Sequence, residues 1–287
     1  MTNEEILEKM KKDMRMREFS HYSFDTYSRK AKEMINYFNK PMEEVTTEEM
    51  REYLIMLKEK KKLANKTVNY YNSILRFMYE VTMDKVLNKK QIPMLKNKRK
   101  VCKVLTKEEL SAFFNACDNP KYKMIFMLIY GSGLRIGETA NLRIKDIDSK
   151  KMRIFVREGK GNKERYTILP KVSLEMLREY YKRERPNHPE GYLFLNREGN
   201  PLKIERMRVY FRRYRRKAKL NDEFVVHSLR HSFATDLIER GATLIQVKEL
   251  MGHRNIRSTM EYVHVAKIDL GLDSPIDELI KEGVVIK

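Results

Sequence analysis

Residues 227–262 read HSLRHSFATDLIERGATLIQVKELMGHRNIRSTMEY, and this stretch decides how the rest of the chain is interpreted. It holds His227 and Arg230 three residues apart, then His253 behind a glycine, then Tyr262. Residues three apart lie on one face of a helix, so His227 and Arg230 can act on the same group. A guanidinium grips phosphate oxygens in a planar, bidentate manner, an imidazole hydrogen-bonds or moves protons, and a phenol can be a nucleophile. The stretch therefore predicts phosphodiester cleavage without a metal ion.

Each of these groups also has a plainer interpretation when it is taken alone. An isolated His-x-x-Arg pattern is more typical of a helix with a capping histidine and a surface arginine. His227 and His231 have the spacing of a zinc-protease pair, but no glutamate base lies between them and Arg230 does, so a zinc site is not expected. Tyr262 alone fits a half-buried side chain, because an unperturbed phenol with a pKa of about 10 is a poor nucleophile at neutral pH.

Two further cationic candidates lie upstream of this stretch. Arg135 follows the segment Gly131-Ser132-Gly133, whose flexibility can expose a helix start where backbone N–H groups favour anions. Alone, Arg135 is equally explained by an ion pair with Glu138. The segment EGKGNK, residues 158–163, is the tip of a predicted hairpin and either enters a groove or is a solvated turn; it lacks the spacing of a P-loop.

The charge of the chain favours a polyanionic partner. Its 287 residues include 60 Lys and Arg against 40 Asp and Glu, which gives a net charge of +20 and a pI near 9.7. Such an excess suits nucleic acid or an anionic membrane surface. No apolar run approaches the ~20 residues that cross a bilayer, and the polar, acidic start is unlike a signal peptide, so a soluble, cytoplasmic protein is expected. Cys102 and Cys117 lack CxxC spacing and are expected to be reduced and structural.

Length and pattern predict two domains joined by a basic segment. From Thr2 to about Val86, apolar residues recur at helical spacing and fit a bundle of four helices. Thr46 with Glu49 marks one helix start, and Asn65 is expected to cap another. Residues 87–103 are basic, contain a proline and lack periodicity, which predicts a linker that is either solvated or lies along a phosphate backbone.

The region after the linker predicts a mostly helical domain with a small sheet. Thr106 with Glu109 begins its first helix, and the strands at residues 152–156 and 166–169 form a hairpin. A short strand and turn are expected at residues 191–196. Further helices are expected at residues 124–130, 135–142, 173–183, 204–219, 227–240, 243–251 and 258–265.

A final short helix is expected to open at Ser274-Pro275. Ile276, Leu279 and Ile280 give it an apolar stripe that either folds back on its own domain or docks on a neighbouring copy.

The order of these motifs resembles that of the tyrosine recombinases, also called the phage integrase family, and most closely that of its Xer-like members. The matching text is GLRIGE at 133–138, GKGNKER at 159–165, HSLRHSFAT at 227–235, LMGH at 250–253 and YVHV at 262–265. Gly137 stands where a serine is common, and Met260-Glu261 precedes the tyrosine where glutamine-containing text is more usual. These departures bear on the subgroup rather than on activity, because neither touches a reacting group.

The resemblance implies a mainly α fold with a small antiparallel β-sheet. An N-terminal four-helix, SAM-like core-binding domain would occupy residues 1–86 and close a clamp on DNA. A basic linker at 87–103, an α+β catalytic domain at 104–270 and a tail helix at 271–287, which docks on a neighbouring protomer, would follow. The expected assembly is a homotetramer on two double-stranded DNA sites, with a monomer or dimer off DNA. Six arginines are expected to contact phosphates, namely Arg206, Arg208, Arg212, Arg213, Arg215 and Arg216.

The resemblance also implies a site-specific recombinase that cuts and rejoins DNA through a 3′-phosphotyrosyl intermediate, with no metal, cofactor or ATP. The catalytic residues would be Arg135, Lys160, His227, Arg230, His253 and Tyr262. Tyr262 would attack phosphorus while the two arginines stabilise the developing charge. Lys160, which the Gly-Lys-Gly element selects over Lys163, would protonate the leaving 5′-oxygen. His227 would accept or position the tyrosyl proton, and His253 would hydrogen-bond the phosphate.

Several tasks are compatible with this chemistry. Xer-like resolution of chromosomes or plasmids and the integration or excision of a mobile element use the same reaction. A type IB topoisomerase-like relaxase is the alternative that keeps the chemistry, and a DNA-binding regulator without catalysis is the alternative of another class.

Overall fold

The computed structural model describes residues 1–96, 102–159, 163–184, 186–263 and 266. The chain divides into two compact units, Met1–Arg99 and Lys100–Lys287. The fold is mainly helical with one small antiparallel sheet, which confirms the predicted fold class. No helix within the described ranges is long and apolar enough to span a membrane.

The first unit is a bundle of four helices, as predicted. They are α1 (Asn3–Met16), α2 (His21–Phe38), α3 (Thr47–Glu59) and α4 (Asn65–Arg76), and a π-helical segment, Phe77–Thr82, continues α4. Capping boxes begin α1 and α3, the second formed by Thr46 with Glu49. The core is filled by apolar side chains that recur at helical spacing, such as the fully buried Ile6, Met10 and Met14 of α1.

Asn65 does not cap α4, so that prediction is wrong. The helix begins at Asn65 itself, and Ala64 takes the capping position without a side-chain hydrogen bond. The Asn65 amide is engaged elsewhere, since it accepts from Lys58 Nζ and donates to the Lys96 carbonyl at 2.7 Å. Because its side chain makes these two hydrogen bonds, Asn65 does not use it to cap the start of α4.

Residues 87–96 pack on the helical bundle, although their charge predicted a linker from residue 87. Leu87 and Ile92 are buried in the bundle core, and Arg76 Nη2 donates to the Ile92 carbonyl at 2.7 Å. The side chain of Asn69 hydrogen-bonds both backbone groups of Leu95. Two apolar side chains and these backbone bonds outweigh the basic composition of the segment. The next five residues, 97–101, lie outside the described residues.

The second unit combines helices with a short sheet. Its helices are α5 (Lys107–Ala116), α6 (Pro120–Ser132), α7 (Ile136–Ala140), α8 (Lys171–Glu184), α9 (Ile204–Lys217), α10 (Val226–Glu239), α11 (Leu244–Met251) and α12 (Arg257–Val263). The strands β1 (Ile147–Asp148), β2 (Arg153–Gly159) and β3 (Lys163–Ile168) lie in that order and pair antiparallel, with Phe155 opposite Tyr166. The hairpin is therefore where the alternating pattern predicted it.

One predicted element of this unit differs from the structure, and another lies outside the described residues. In place of a strand at residues 191–196 there are two single bridges, Arg143 to Tyr192 and Leu195 to Pro201. The glycine at position 191 and the turn in this segment leave too few consecutive residues to pair with a neighbouring segment as a continuous β-ladder. The predicted tail helix at 271–287 lies outside the described residues.

A small apolar cluster fixes the last three helices against one another. It joins Phe233 and Ile238 of α10, Val247 and Met251 of α11, and Tyr262 of α12. The larger core of the unit is centred on α6, whose Ile125 and Phe126 are fully buried. Because α10 also packs on α6, the sequence around His227 to Tyr262 is held on a rigid support.

Candidate active site

Arg230 lies at the centre of the candidate site. Its side chain is 1% exposed, and its two terminal nitrogens donate to the carbonyls of Gly133 and Met251. Among the described residues, its Nε has no hydrogen-bond partner. A guanidinium has five N–H donors, so Arg230 keeps donors for an anionic ligand after both backbone bonds are made.

Glu138 binds the arginines of the site together. Its carboxylate accepts from Arg135 Nη1 at 2.6 Å and from both terminal nitrogens of Arg165 at 2.9 and 2.8 Å, and it lies 3.7 Å from Arg230 Nη1. The backbone N–H of Arg135 also donates to it, at 2.7 Å. Although burial opposes ionisation, the hydrogen bonds and charges of Arg165 and Arg135 lower the pKa of Glu138 to about 2. One buried carboxylate therefore fixes the planes of neighbouring guanidinium groups.

The C-terminal end of α11 supplies three more acceptors to the same arginines. The Leu250 carbonyl accepts from Arg165 Nε at 2.8 Å, the Met251 carbonyl from Arg230, and the Gly252 carbonyl from Arg135 Nη2 at 3.2 Å. The last carbonyls of a helix lack partners within the helix and carry the negative end of its dipole. The helix end therefore acts as a fixed anionic support for three cations.

Two glycines allow this close approach. Gly133 ends α6 at φ +63° and Gly252 ends α11 at φ +62°. A side chain at Gly133 would collide with the Phe233 ring, and a Cβ at Gly252 would lie 2.8 Å from Arg165 Cδ. Glycine is required at both positions, since the backbone is left-handed and the space is filled.

Tyr262 projects from α12 into the same cluster. It is 3% exposed, and its hydroxyl oxygen lies 3.0 Å from His231 Nδ1. Burial raises the pKa of Tyr262 to about 12, against the opposing effect of the Arg230 charge. Burial, together with His227 and Arg230, lowers the pKa of His231 to about 3. At neutral pH the tyrosine is therefore a phenol and His231 a neutral imidazole.

The His253 side chain is anchored to α12, the helix that carries Tyr262. Its Nδ1 lies 2.8 Å from the hydroxyl of Thr259, which is fully buried on α12, and its ring stacks near that of Tyr262 at 6.1 Å between centroids. Burial and the nearby Arg230 and Arg135 lower the pKa of His253 to about 4. A neutral imidazole anchored through Nδ1 leaves Nε2 for a ligand.

His227 has a different setting from its neighbour His231. Its ring lies 4.5 Å from the His231 ring and lines an open cavity together with Arg135 and Arg157. Within the described part of the chain, no hydrogen bond joins His227 to Tyr262.

The structure brings together most, but not all, of the predicted site. Arg135, Arg230, His253 and Tyr262 form one cluster, and His227 borders it. Lys160 lies outside the described residues.

Sequence reasoning missed four residues of the cluster. Arg165 was only part of a motif, Glu138 only a possible partner of Arg135, His231 only half of a rejected zinc pair, and Thr259 had no role. The one available signal was the spacing of His231, which lies one helical turn after His227 on the same face.

Comparisons with known proteins match both units of the chain. The model of the phage integrase family matches residues 103–268, and that of the N-terminal SAM-like domain of phage integrases matches residues 6–89. The chain is 31% identical over 263 residues to the putative integrase/recombinase y4qK of Sinorhizobium fredii, covering 91% of this chain and 84% of that protein.

Two Xer proteins are also similar. The chain is 32% identical to tyrosine recombinase XerC of Natranaerobius thermophilus, covering 86% of this chain and 89% of that protein. The crystal structure of the XerH recombinase bound to a difH substrate has a TM-score of 0.74 at 24% identity, covering 93% of this chain and 82% of that chain. This last similarity concerns the fold.

Proposed function

The chain belongs to the phage integrase family, and we propose that it cuts and rejoins DNA through a 3′-phosphotyrosyl intermediate on Tyr262. It is a site-specific recombinase of the tyrosine type, an enzyme that breaks and rejoins DNA strands. The observation that carries the proposal for Tyr262 is its place, with a buried side chain, in one cluster with Arg135, Arg230 and His253. The named relatives are recombinases or integrases, which favours recombination over the topoisomerase-like and regulator alternatives.

Arg135 and Arg230 are proposed to bind the scissile phosphate. Both are oriented by fixed acceptors, Glu138 and the end of α11, so little reorganisation is needed when a phosphate arrives. The unpartnered Nε of Arg230 supports this assignment, because a buried donor without a partner is costly unless a ligand completes it. Burial and the charge of Arg135 lower the pKa of Arg230 to about 9, so the group stays cationic at neutral pH.

The remaining catalytic roles follow from the chemistry of the side chains. Tyr262 oxygen would form a bond to phosphorus, and the bond from phosphorus to the 5′-oxygen would break. Lys160 would give a proton to that leaving oxygen. A histidine of α10, which the family resemblance identifies as His227, would accept or position the tyrosyl proton, and His253 would hydrogen-bond the phosphate. The energy of the phosphodiester is kept in the phosphotyrosyl bond, so a 5′-hydroxyl of another strand can reverse the reaction without ATP.

Double-stranded DNA is the proposed substrate and partner. The XerH relative was solved on its difH substrate, and the net charge of +20 suits a polyanion. We propose a homotetramer on two DNA sites, in which residues 1–86 grip DNA, residues 104–270 carry the chemistry and residues 271–287 dock on a neighbouring protomer. Such an assembly would carry out one of two tasks. It would resolve chromosomes or plasmids, or it would integrate or excise a mobile element.

A suicide substrate tests this function. The DNA is drawn from the sequence that flanks the gene of this protein and is nicked beside the cut site, so that the leaving fragment diffuses away and the covalent product accumulates. Wild-type protein is expected to give a DNA adduct on a denaturing gel, and Tyr262→Phe is expected to give none while it still binds the DNA. An adduct of equal yield with Tyr262→Phe would refute the assignment of the nucleophile.

A further inference from the structure

His231 lies in hydrogen-bond contact with the Tyr262 hydroxyl. The two polar atoms lie 3.0 Å apart, and their rings lie 5.5 Å apart between centroids. His227, to which the family resemblance gives the tyrosyl proton, lies one helical turn earlier and contacts the His231 ring instead. The geometry therefore separates two histidines of α10 that the sequence motif does not distinguish.

We propose that His231 is a catalytic residue of this enzyme, the base that accepts the proton of Tyr262 through Nδ1 as the tyrosine attacks phosphorus. The inference rests on the function proposed above for Tyr262. In this step the Tyr262 O–P bond forms, the tyrosyl proton moves to His231 Nδ1, and the P–O5′ bond breaks as its oxygen takes a proton from Lys160. His227 is thereby left to bind the phosphate from the open cavity that it shares with Arg135.

The surroundings of His231 keep the proton on the tyrosine until DNA is bound. Without DNA the pKa of Tyr262 is about 12 and that of His231 is about 3, so transfer is strongly uphill. Arg230 and His227 both lower the pKa of His231. A phosphodiester bound to Arg135 and Arg230 brings negative charge to this cluster and raises the pKa of His231. Attack then makes the phenol more acidic as its oxygen bonds to phosphorus, so transfer occurs in step with bond formation.

The position of the pair also suits direct transfer. Tyr262 is nearly inaccessible to solvent, with 3% of its surface exposed, so bulk water has little access to its hydroxyl in this arrangement. His231 lies on α10, next to Arg230, and Tyr262 lies on α12, which packs on α10. A base on the same rigid helix as the phosphate-binding arginine keeps acceptor, nucleophile and phosphate in a fixed relation.

The His231→Asn substitution tests whether His231 takes up the tyrosyl proton or only accepts a hydrogen bond from Tyr262. The asparagine oxygen can accept the tyrosyl hydrogen bond from near the Nδ1 position, but it cannot take up the proton. We expect this variant to melt and bind DNA as wild type does, and to form the covalent adduct about 100-fold more slowly in a single turnover. Where His231→Asn melts below the assay temperature, His231→Gln, which fills more of the ring volume, is measured instead.

A fluorinated tyrosine at position 262 supplies a readout that a structural role would not change. Its more acidic phenol depends less on a base, so it is expected to recover most of the rate lost in His231→Asn and little of that lost in His227→Asn. The proposal is overturned if His231→Asn cleaves within about threefold of wild type, or if the fluorinated tyrosine rescues only His227→Asn or neither variant. An adduct formed by Tyr262→Phe would instead refute the proposed function itself.

Discussion

Glu138 shows how one carboxylate sets the geometry of a cationic site. Its side chain is 7% exposed and receives hydrogen bonds from Arg135 and Arg165, with Arg230 at 3.7 Å. Three guanidinium groups so close together would repel one another strongly without a fixed negative charge between them. Glu138 therefore contributes to stability and holds the arginines in the orientation proposed for phosphate binding.

Glu138→Gln is expected to destabilise the protein in a manner that depends on pH. The pKa of Glu138 is about 2 in the folded protein against an ordinary value of 4.5, so its stabilisation is present above the ordinary value and is lost as pH falls towards 2. At neutral pH the free energy of unfolding should fall by about 3 kcal/mol, because the charge of a buried pair is removed. Urea unfolding between pH 7 and pH 3 measures the difference, which should shrink at the acid end.

Glu179→Gln is the matched control for this prediction. Glu179 pairs with Lys182 at 3.5 Å, but both side chains are more than 70% exposed, at 78% and 75%. An exposed pair contributes little, so the control should unfold as wild type does at every pH. Equal effects of the two substitutions would contradict the role of Glu138.

The C-terminal end of α11 orients three arginines at once through its backbone carbonyls. Three consecutive carbonyls, from Leu250 to Gly252, accept hydrogen bonds from three different arginines. This requires the chain to turn sharply at Gly252, at φ +62°, with Arg165 packed against the glycine. The glycine before His253 is therefore a structural requirement of the arginine cluster as well as part of a motif.

Gly252→Ala is expected to lower both stability and adduct formation. The new Cβ would lie 2.8 Å from Arg165 Cδ in a left-handed backbone, so the guanidinium or the helix end must shift, at a cost of about 1–3 kcal/mol. The control is Gly241→Ala, because Gly241 also has a left-handed φ of +85° but nothing lies within 4 Å of its Cβ position. Both variants should lose some stability in urea, whereas only Gly252→Ala should slow cleavage; equal cleavage rates would contradict the account.

Local sequence signals predicted the elements well where they depended on neighbours in the chain. The capping boxes at Thr46 and Thr106 and the continuous apolar run of α6 are local features of a few residues, and the structure has them. The capping role of Asn65 and the strand at 191–196 were not predicted correctly, because distant groups decide them. The same reason hid the contact between His231 and Tyr262, which are 31 residues apart.

The arginines of α9 lie in different surroundings, so they do not all contribute in the same way to the positive charge that the molecule offers to DNA. Arg208 and Arg212 line a cavity that also contains His227, on the side of the candidate site. Arg213 is paired with Asp118 at 3.2 Å. Arg215 was expected to contact phosphate but is 6% exposed and donates to the carbonyls of Asp222 and Phe224, so that expectation is wrong. Its guanidinium secures the loop before α10 rather than a DNA backbone.

The salt dependence of DNA binding should distinguish these arginines. Arg208→Ala and Arg212→Ala are each expected to reduce the slope of log affinity against log salt by about 0.9, the loss of one phosphate contact. Arg213→Ala, on the side bonded to Asp118, should leave the slope nearly unchanged. Titrations of labelled duplex at several salt concentrations give the three slopes, and an equal reduction for all three would contradict this assignment.

The family assignment was accessible from the sequence because it depends on the order and spacing of several motifs, which the chain carries with small departures at Gly137 and at Met260-Glu261. The surroundings of Tyr262, the proposed nucleophile, were not accessible in this way. Burial of Tyr262, its contact with His231 and the anchoring of His253 by Thr259 depend on how α10, α11 and α12 pack.

The most direct test of the account is to identify the residue that is joined to DNA. The covalent adduct from the suicide substrate is digested with nuclease and trypsin, and the peptides are sequenced by mass spectrometry. Residues 258–267, STMEYVHVAK, form one tryptic peptide, in which Tyr262 is the only tyrosine. We expect a nucleotide attached through a 3′-phosphate to Tyr262. A nucleotide attached to any other residue, or to Ser258 or Thr259 of the same peptide, would contradict it.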